Sequence, residues 1–181
     1  MSWLADWDHA ALHWMNSHHH PIADWVLVPV SFLGEGGAIW VLIGLGMIIF
    51  GRHRTRIIGL LLLAAMLVAD QLLARPLHHI LHRDRPYLDE EWIRQIGIRW
   101  GGSSFPSAHA HSAVIAAILL GSEYRRLLPA LAVFALLTLY SRPYLGMHHP
   151  LDVLAGAAIG AVVGLGAWYL ARRWGNNVEK G

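Results

Sequence analysis

No cysteine occurs among the 181 residues, which excludes disulfides, thiolate nucleophiles and cysteine-ligated metals. Charge is scarce as well: Asp, Glu, Lys and Arg make up 14% of the chain, against an apolar share of 55%. The net charge is only +2, carried by short Arg clusters rather than a basic stripe, so no nucleic-acid partner is expected. The start of the chain lacks a basic stretch leading into an apolar core, so no cleavable signal peptide is expected. Whole segments lack charge altogether. Residues 153–171 have none over 19 positions, close to what is needed to span hydrocarbon. Residues 57–69 and 127–140 are also uncharged, and nine Trp cluster toward segment ends, as in an interfacial belt. These features predict a single-domain, all-α integral membrane protein over 1–181.

The expected architecture is a polytopic bundle of about six transmembrane helices behind an N-terminal interfacial helix. Residues 1–20 form an amphipathic segment, with Trp3, Leu4, Trp7, Leu12 and Trp14 set against Asp6, Asp8, His9 and His13. The triplet His18, His19 and His20 reads as a wet turn before Pro21 or as an opportunistic metal binder. Apolar runs at 22–33 and 38–50 flank Gly34-Glu35-Gly36-Gly37. They are two short spans or one long tilted helix, and the second choice moves the N-terminus to the other face. Further spans are expected at 57–82, kinked at Pro76, and at 107–122, 127–141 and 149–171. Arg52, Arg54 and Arg56, then Arg125 and Arg126, then Arg172, Arg173 and Lys180 alternate onto one side, which the positive-inside rule makes cytoplasmic. The polar loop 83–105 and the turn 141–150 then face outward. Gly156, Gly160 and Gly164 allow a close helix approach, within the chain or in a homodimer.

Three clusters fall on that outward side. The most informative is Ser141-Arg142 through His148-His149-Pro150-Leu151-Asp152. If the segment is helical, His148 and Asp152 share a face. The carboxylate then fixes the imidazole tautomer and leaves the other nitrogen free to attack. Arg85 and Arg142 supply planar cations suited to phosphate oxygens. Pro106, Ser107, Ala108 and His109 open a helix whose free N–H groups and dipole favour an anion. Ser107 adds a hydroxyl, and His109 is placed to protonate a leaving oxygen and later activate water. Taken singly, each has a plainer reading: a lipid-headgroup contact, an N-cap, an interfacial histidine or a helix-stabilising pair. Together they predict phosphoryl transfer at a membrane surface.

On these residues the chain resembles the type 2 phosphatidic acid phosphatase family, which includes bacterial undecaprenyl-pyrophosphate phosphatases and vanadium haloperoxidases. That family carries Lys-x6-Arg-Pro, Pro-Ser-Gly-His and Ser-Arg-x5-His-x3-Asp. The third motif is complete in Ser141, Arg142, His148 and Asp152; the second has Ala108 for Gly; the first keeps Arg85 and Pro86 but has His78 for Lys. The likeness covers about 57–171, the expected catalytic core. It implies that His148 attacks phosphorus, Asp152 orients it, and His109 serves as acid and then base. Arg85, Arg142, Ser107 and the Ala108 backbone would hold phosphate, without metal or cofactor. His78 could bind phosphate when protonated, Arg75 could replace the missing Lys, or the site could be weakened. The implied activity is hydrolysis of a lipid phosphate or pyrophosphate, undecaprenyl pyrophosphate first, in a bacterial inner membrane with the site on the periplasmic or extracellular side. Phosphatidic acid or phosphatidylglycerol phosphate is the alternative substrate. Phosphate transfer between lipids and a non-catalytic transporter or scaffold are the rival functions.

Overall fold

The computed structural model describes residues 3–99 and 101–178, and every regular element among them is helical. Helix α1 covers Trp3–Ser17 and α2 covers Pro21–Leu33. His20 caps α2: its Nδ1 accepts the Ile22 N–H at 3.2 Å, and Pro21 takes the first helical position, where no N–H is required. His18 turns back to the Trp14 carbonyl and His19 lies 3.3 Å from Asp24, so the triplet is a capped turn. A short 3₁₀ turn, Glu35–Gly37, leads into α3, Ala38–Phe50. The axes of α2 and α3 bend by 53° at this break.

Helix α4, His53–Leu67, runs through a π-helical turn, Val68–Ala74, into α5, Arg75–Ile80. Where the sequence predicts a kink at Pro76, the chain widens its register just upstream, and the Arg75 N–H reaches back to the Asp70 carbonyl. Proline offers no donor and crowds the carbonyl four residues before it; the wider turn accommodates both. A short α6, Pro86–Asp89, sits in the polar loop, followed by α7, Ala108–Glu123; α8, Leu128–Tyr144; and α9, Pro150–Val178.

Among the described residues, two helices are long and apolar enough to cross a membrane, His53–Ile80 and Pro150–Trp174, and the bent α2–α3 pair makes a third if taken as one span. Large apolar side chains such as Phe50, Leu72, Leu136 and Val162 point outward, as a lipid-facing surface requires. The core lies inside the bundle, where Ile58, Leu62, Ile115 and Leu119 are fully buried. Helix α7 is central, packed on α9, α8 and α4. The α7–α9 contact uses the glycine stripe: a Cβ at Gly156 would collide with the Ser107 carbonyl, and one at Gly160 would lie 2.6 Å from the His111 carbonyl oxygen. The stripe is therefore occupied within the chain and is not free for a second copy.

The two ends of the bundle are fastened differently. At one end Arg54 donates to both carboxylate oxygens of Glu123, each at 2.7 Å, and to the Ala171 carbonyl, tying α4, α7 and α9 together. The other basic residues of the three clusters also belong to this end: Arg52 and Arg56 at the α3–α4 junction, Arg125 and Arg126 between α7 and α8, and Arg172 and Arg173 within the later part of α9, while Lys180 lies outside the described residues. At the opposite end α1 lies across the bundle, with Asn16 bonded to the Tyr144 and Arg94 carbonyls. Helix α2 stays at this end too. Asp24 near its start accepts from Tyr144, and Ser31 near its finish bonds Arg142, both partners being at the end of α8.

Candidate active site

Four chain segments deliver side chains to one cavity of about 380 Å³, whose lining includes Glu35, His78, Arg85, Ala108, His109, Arg142 and His148. The turn between α8 and α9 brings the central imidazole. Its Gly146 has φ +70°, a conformation side chains rarely adopt, and a Cβ there would lie 2.5 Å from Ile93. Gly146 and Met147 donate back to the Pro143 and Arg142 carbonyls, which turns the chain sharply and aims His148 inward.

His148 is not on a helix, contrary to the simplest reading of its spacing from Asp152, because α9 begins only at Pro150. The two meet through a helix cap. Asp152 accepts the His149 N–H at 2.8 Å, the reach-back of an acidic residue in a first helical turn. It stands 3.8 Å from His148 Nδ1, beyond hydrogen-bond distance. Nδ1 is instead 2.8 Å from the Ser104 carbonyl. A carbonyl only accepts, so Nδ1 carries the proton and Nε2 keeps its lone pair. Tautomer control thus belongs to Ser104, while Asp152 fixes the turn and supplies negative charge nearby. His148 Nε2 lies 3.4 Å from Arg85 Nη1. Burial, helped by Arg142 and Arg85, holds His148 well below the ordinary imidazole value, so it stays neutral and nucleophilic.

Arg85 and Arg142 face this imidazole and are almost fully buried. Arg85 donates to the Met147 carbonyl at 3.1 Å, and Arg142 donates to Ser31 of α2. Ser107 occupies the N-cap position of α7 but makes no cap bond with its hydroxyl; its own N–H is taken by the Asp152 carbonyl at 2.9 Å. Beyond it, the first N–H groups of α7, from Ala108 on, have no carbonyl within the helix to bond. Arg85 Nε, Ser107 Oγ, His109 Nε2 and Arg142 Nε are all buried without a hydrogen-bond partner. Buried donors left unmet in this way are costly, and a tetrahedral oxyanion would satisfy them together.

The residues of the first motif divide. His78 lines the cavity, and its Nε2 is 3.2 Å from the Pro106 carbonyl, so it braces the loop before α7. Arg75 does not reach the site. It is exposed and donates to Gln71 Oε1 one turn back at 2.8 Å, which corrects the expectation that it replaces the missing Lys.

Several contributing residues carry no motif. Glu35, at the α2–α3 break, lines the cavity with Oε2 3.6 Å from His109 Nε2. Arg83 joins Asp152 at 3.0 Å to Asp8 at 2.5 Å. Asp8 is fully buried and also accepts the Leu151 N–H at 2.8 Å. Ser104, beyond fixing His148, closes the polar loop through bonds to Arg83. The only sequence signals for these were an acidic residue on an amphipathic helix and a carboxylate in a glycine-rich break.

Comparison with known proteins adds four findings. A model of the PAP2 superfamily matches residues 59–176. The chain is 31% identical over 180 residues to a lipid A 4'-phosphatase of Bacteroides thetaiotaomicron, covering 93% of this chain and 77% of that protein. It is 28% identical over 156 residues to the undecaprenyl-diphosphatase BcrC of Bacillus subtilis, covering 82% and 75%. Among solved structures it resembles a transmembrane PAP2-type phosphatidylglycerolphosphate phosphatase from Bacillus subtilis, with TM-score 0.74, 25% identity, and 98% and 89% coverage.

Proposed function

Because this chain belongs to the PAP2 superfamily of phosphatases that act on lipid phosphates, we propose that it hydrolyses a lipid phosphomonoester through a phosphohistidine on His148. The observation that carries this reading is the set of unpartnered donors gathered around a neutral imidazole in one cavity. Arg85, Arg142, the Ser107 hydroxyl and the α7 N–H groups hold the phosphate oxygens. His148 Nε2 forms a bond to phosphorus as the bond to the lipid oxygen breaks, and His109 gives that oxygen its proton. Asp152 offsets the positive charge gained by the imidazole. His109 then takes a proton from water, the new hydroxide displaces His148, and inorganic phosphate leaves.

Charge favours a monoester. Two guanidinium groups face the cavity, Glu35 subtracts from them, and the Lys of the first motif is replaced by a histidine braced on a carbonyl. That balance suits one phosphate better than a pyrophosphate. Undecaprenyl pyrophosphate is the second reading, favoured by the likeness to BcrC.

We further propose five crossings with the cavity on the outward face, in a bacterial inner membrane. Both ends of α2 contact the cavity end of the bundle, which supports one broken α2–α3 span over the two spans that a six-helix count needs. The N-terminus then shares the cavity side, and the Arg clusters follow the other ends of the spans, as the positive-inside rule demands. Phosphate release by purified protein from a lipid monophosphate and from a prenyl pyrophosphate tests the reading. Faster release from the monophosphate is expected, and enzyme quenched in alkaline detergent should hold base-stable, acid-labile phosphate on His148. Label on serine, or exclusive turnover of the pyrophosphate, would refute it.

A further inference from the structure

Beside the phosphate cavity lies a larger one of about 600 Å³ between α3, α4, the π-helical turn and α7. Ala108 borders both, and it alone among the larger cavity's lining residues lies in a motif. Val41, Leu63, Met66 and Leu67 give it apolar walls, and Asp70, His111 and Ser112 give it polar groups. His111 is 3% exposed, and neither ring nitrogen has a hydrogen-bond partner. Asp70 stands on the π-helical turn, a distortion frequent at functional sites. An imidazole closed off from water with both nitrogens unmet is unfavourable unless something polar enters beside it.

The available groups say what kind of molecule that is. Ser112 already donates its hydroxyl proton to the His109 carbonyl, at 3.2 Å, and so offers only lone pairs. A carboxylate only accepts, and a neutral imidazole adds one acceptor and one donor. The set is acceptor-rich and carries no fixed positive charge, so it repels a second phosphate. It complements hydroxyl groups, which bring their own protons, set on a carbon framework that the apolar walls can cover.

Resting on the phosphatase reading above, we infer that the Asp70–His111–Ser112 cavity is a headgroup subsite, which binds the hydroxylated part of the lipid, a sugar or other polyol, next to the phosphate held at His148. A polyprenyl monophosphate has no hydroxyls to place there, and would leave both ring nitrogens of His111 without partners. Sites built to bond a hydroxyl discriminate strongly against analogues that lack it.

The test compares two monophosphates in the same detergent, a phosphorylated glycolipid with free hydroxyls beside the phosphate and a polyprenyl monophosphate. The expected wild-type preference in kcat/KM for the glycolipid is about tenfold or more. His111→Phe and Asp70→Leu should pull that ratio toward one, mainly through KM for the glycolipid. His111→Gln, which keeps a donor and an acceptor, should restore most of it. A wild-type ratio near one, or variants that depress both lipids equally, would overturn the subsite while leaving the phosphatase reading intact. No phosphate release from either lipid would instead overturn the phosphatase reading, and the subsite with it.

Discussion

The residues around His148 come from two parts of the chain that contribute in different ways. Residues 59–176, matched by the family model, bring the groups proposed to meet phosphate: Arg85, Ser107, His109, Arg142 and His148. Residues before them bring groups that hold those in place. Asp8 steadies Arg83 and through it Asp152, Ser31 anchors Arg142, and Glu35 faces His109. The N-terminal region thus contributes alignment without motifs, beside the bracing that Ser104, Asp152 and His78 supply from within the core.

The comparison is sharpest at its extremes. His148→Ala should remove the proposed nucleophile and lower kcat by about 10⁴-fold or more, measured as phosphate release, and should abolish the base-stable labelling. Asp8→Ala, on the other side of the divide, should cost about 10–100-fold, in kcat more than KM, because it loosens the turn carrying Asp152 without touching phosphate. Arg83→Ala should cost no more in the Asp8→Ala background than the pair's shared role allows. Fully additive losses in a double-mutant cycle would show that the two residues act separately.

A pH profile tests the environment that both regions create. His148 must be neutral to attack, and burial beside two guanidinium groups lowers its pKa. The acid limb of kcat/KM should therefore fall below the ordinary histidine value near 6.5. His149 is also lowered, to about 4, chiefly by burial and then by Arg83. As pH drops below about 6.5, the unfolded chain takes up protons that the native site refuses, so thermal stability should decline between there and about 4. A melting temperature that is flat over this window would contradict the burial of both imidazoles. The smallest effect belongs to Arg75→Ala, which should leave kcat and KM nearly unchanged. A tenfold loss would return that exposed side chain to the site.

The core was legible because phosphoryl transfer demands particular side chains at particular spacings, and loops between helices keep those spacings in sequence. The spacing of Ser141, Arg142, His148 and Asp152 marked them as candidates, and the structure places Arg142 and His148 on one cavity with Asp152 3.8 Å from His148 Nδ1. How they are held was not legible. Whether His148 answers to Asp152 or to the Ser104 carbonyl depends on where α9 starts, within a residue or two. Asp8 sits 75 positions from Arg83, and no periodicity links them. Arg75 shows the reverse failure, a plausible residue on the right helix whose guanidinium turns back to Gln71. The α2–α3 break was visible as Gly34-Glu35-Gly36-Gly37, but its direction needed the contacts of α2 with the end of α8.

The glycine stripe on α9 has a mechanical consequence. With Gly156 and Gly160 against the α7 backbone, the helix that follows His148 and the helix bearing His109 cannot slide past one another. A bilayer thicker or thinner than the bundle must then be accommodated elsewhere, by tilt or at the flexure between α2 and α3. Turnover should accordingly hold steady across lipids of different acyl length, while the tilt of the outer helices follows the host membrane.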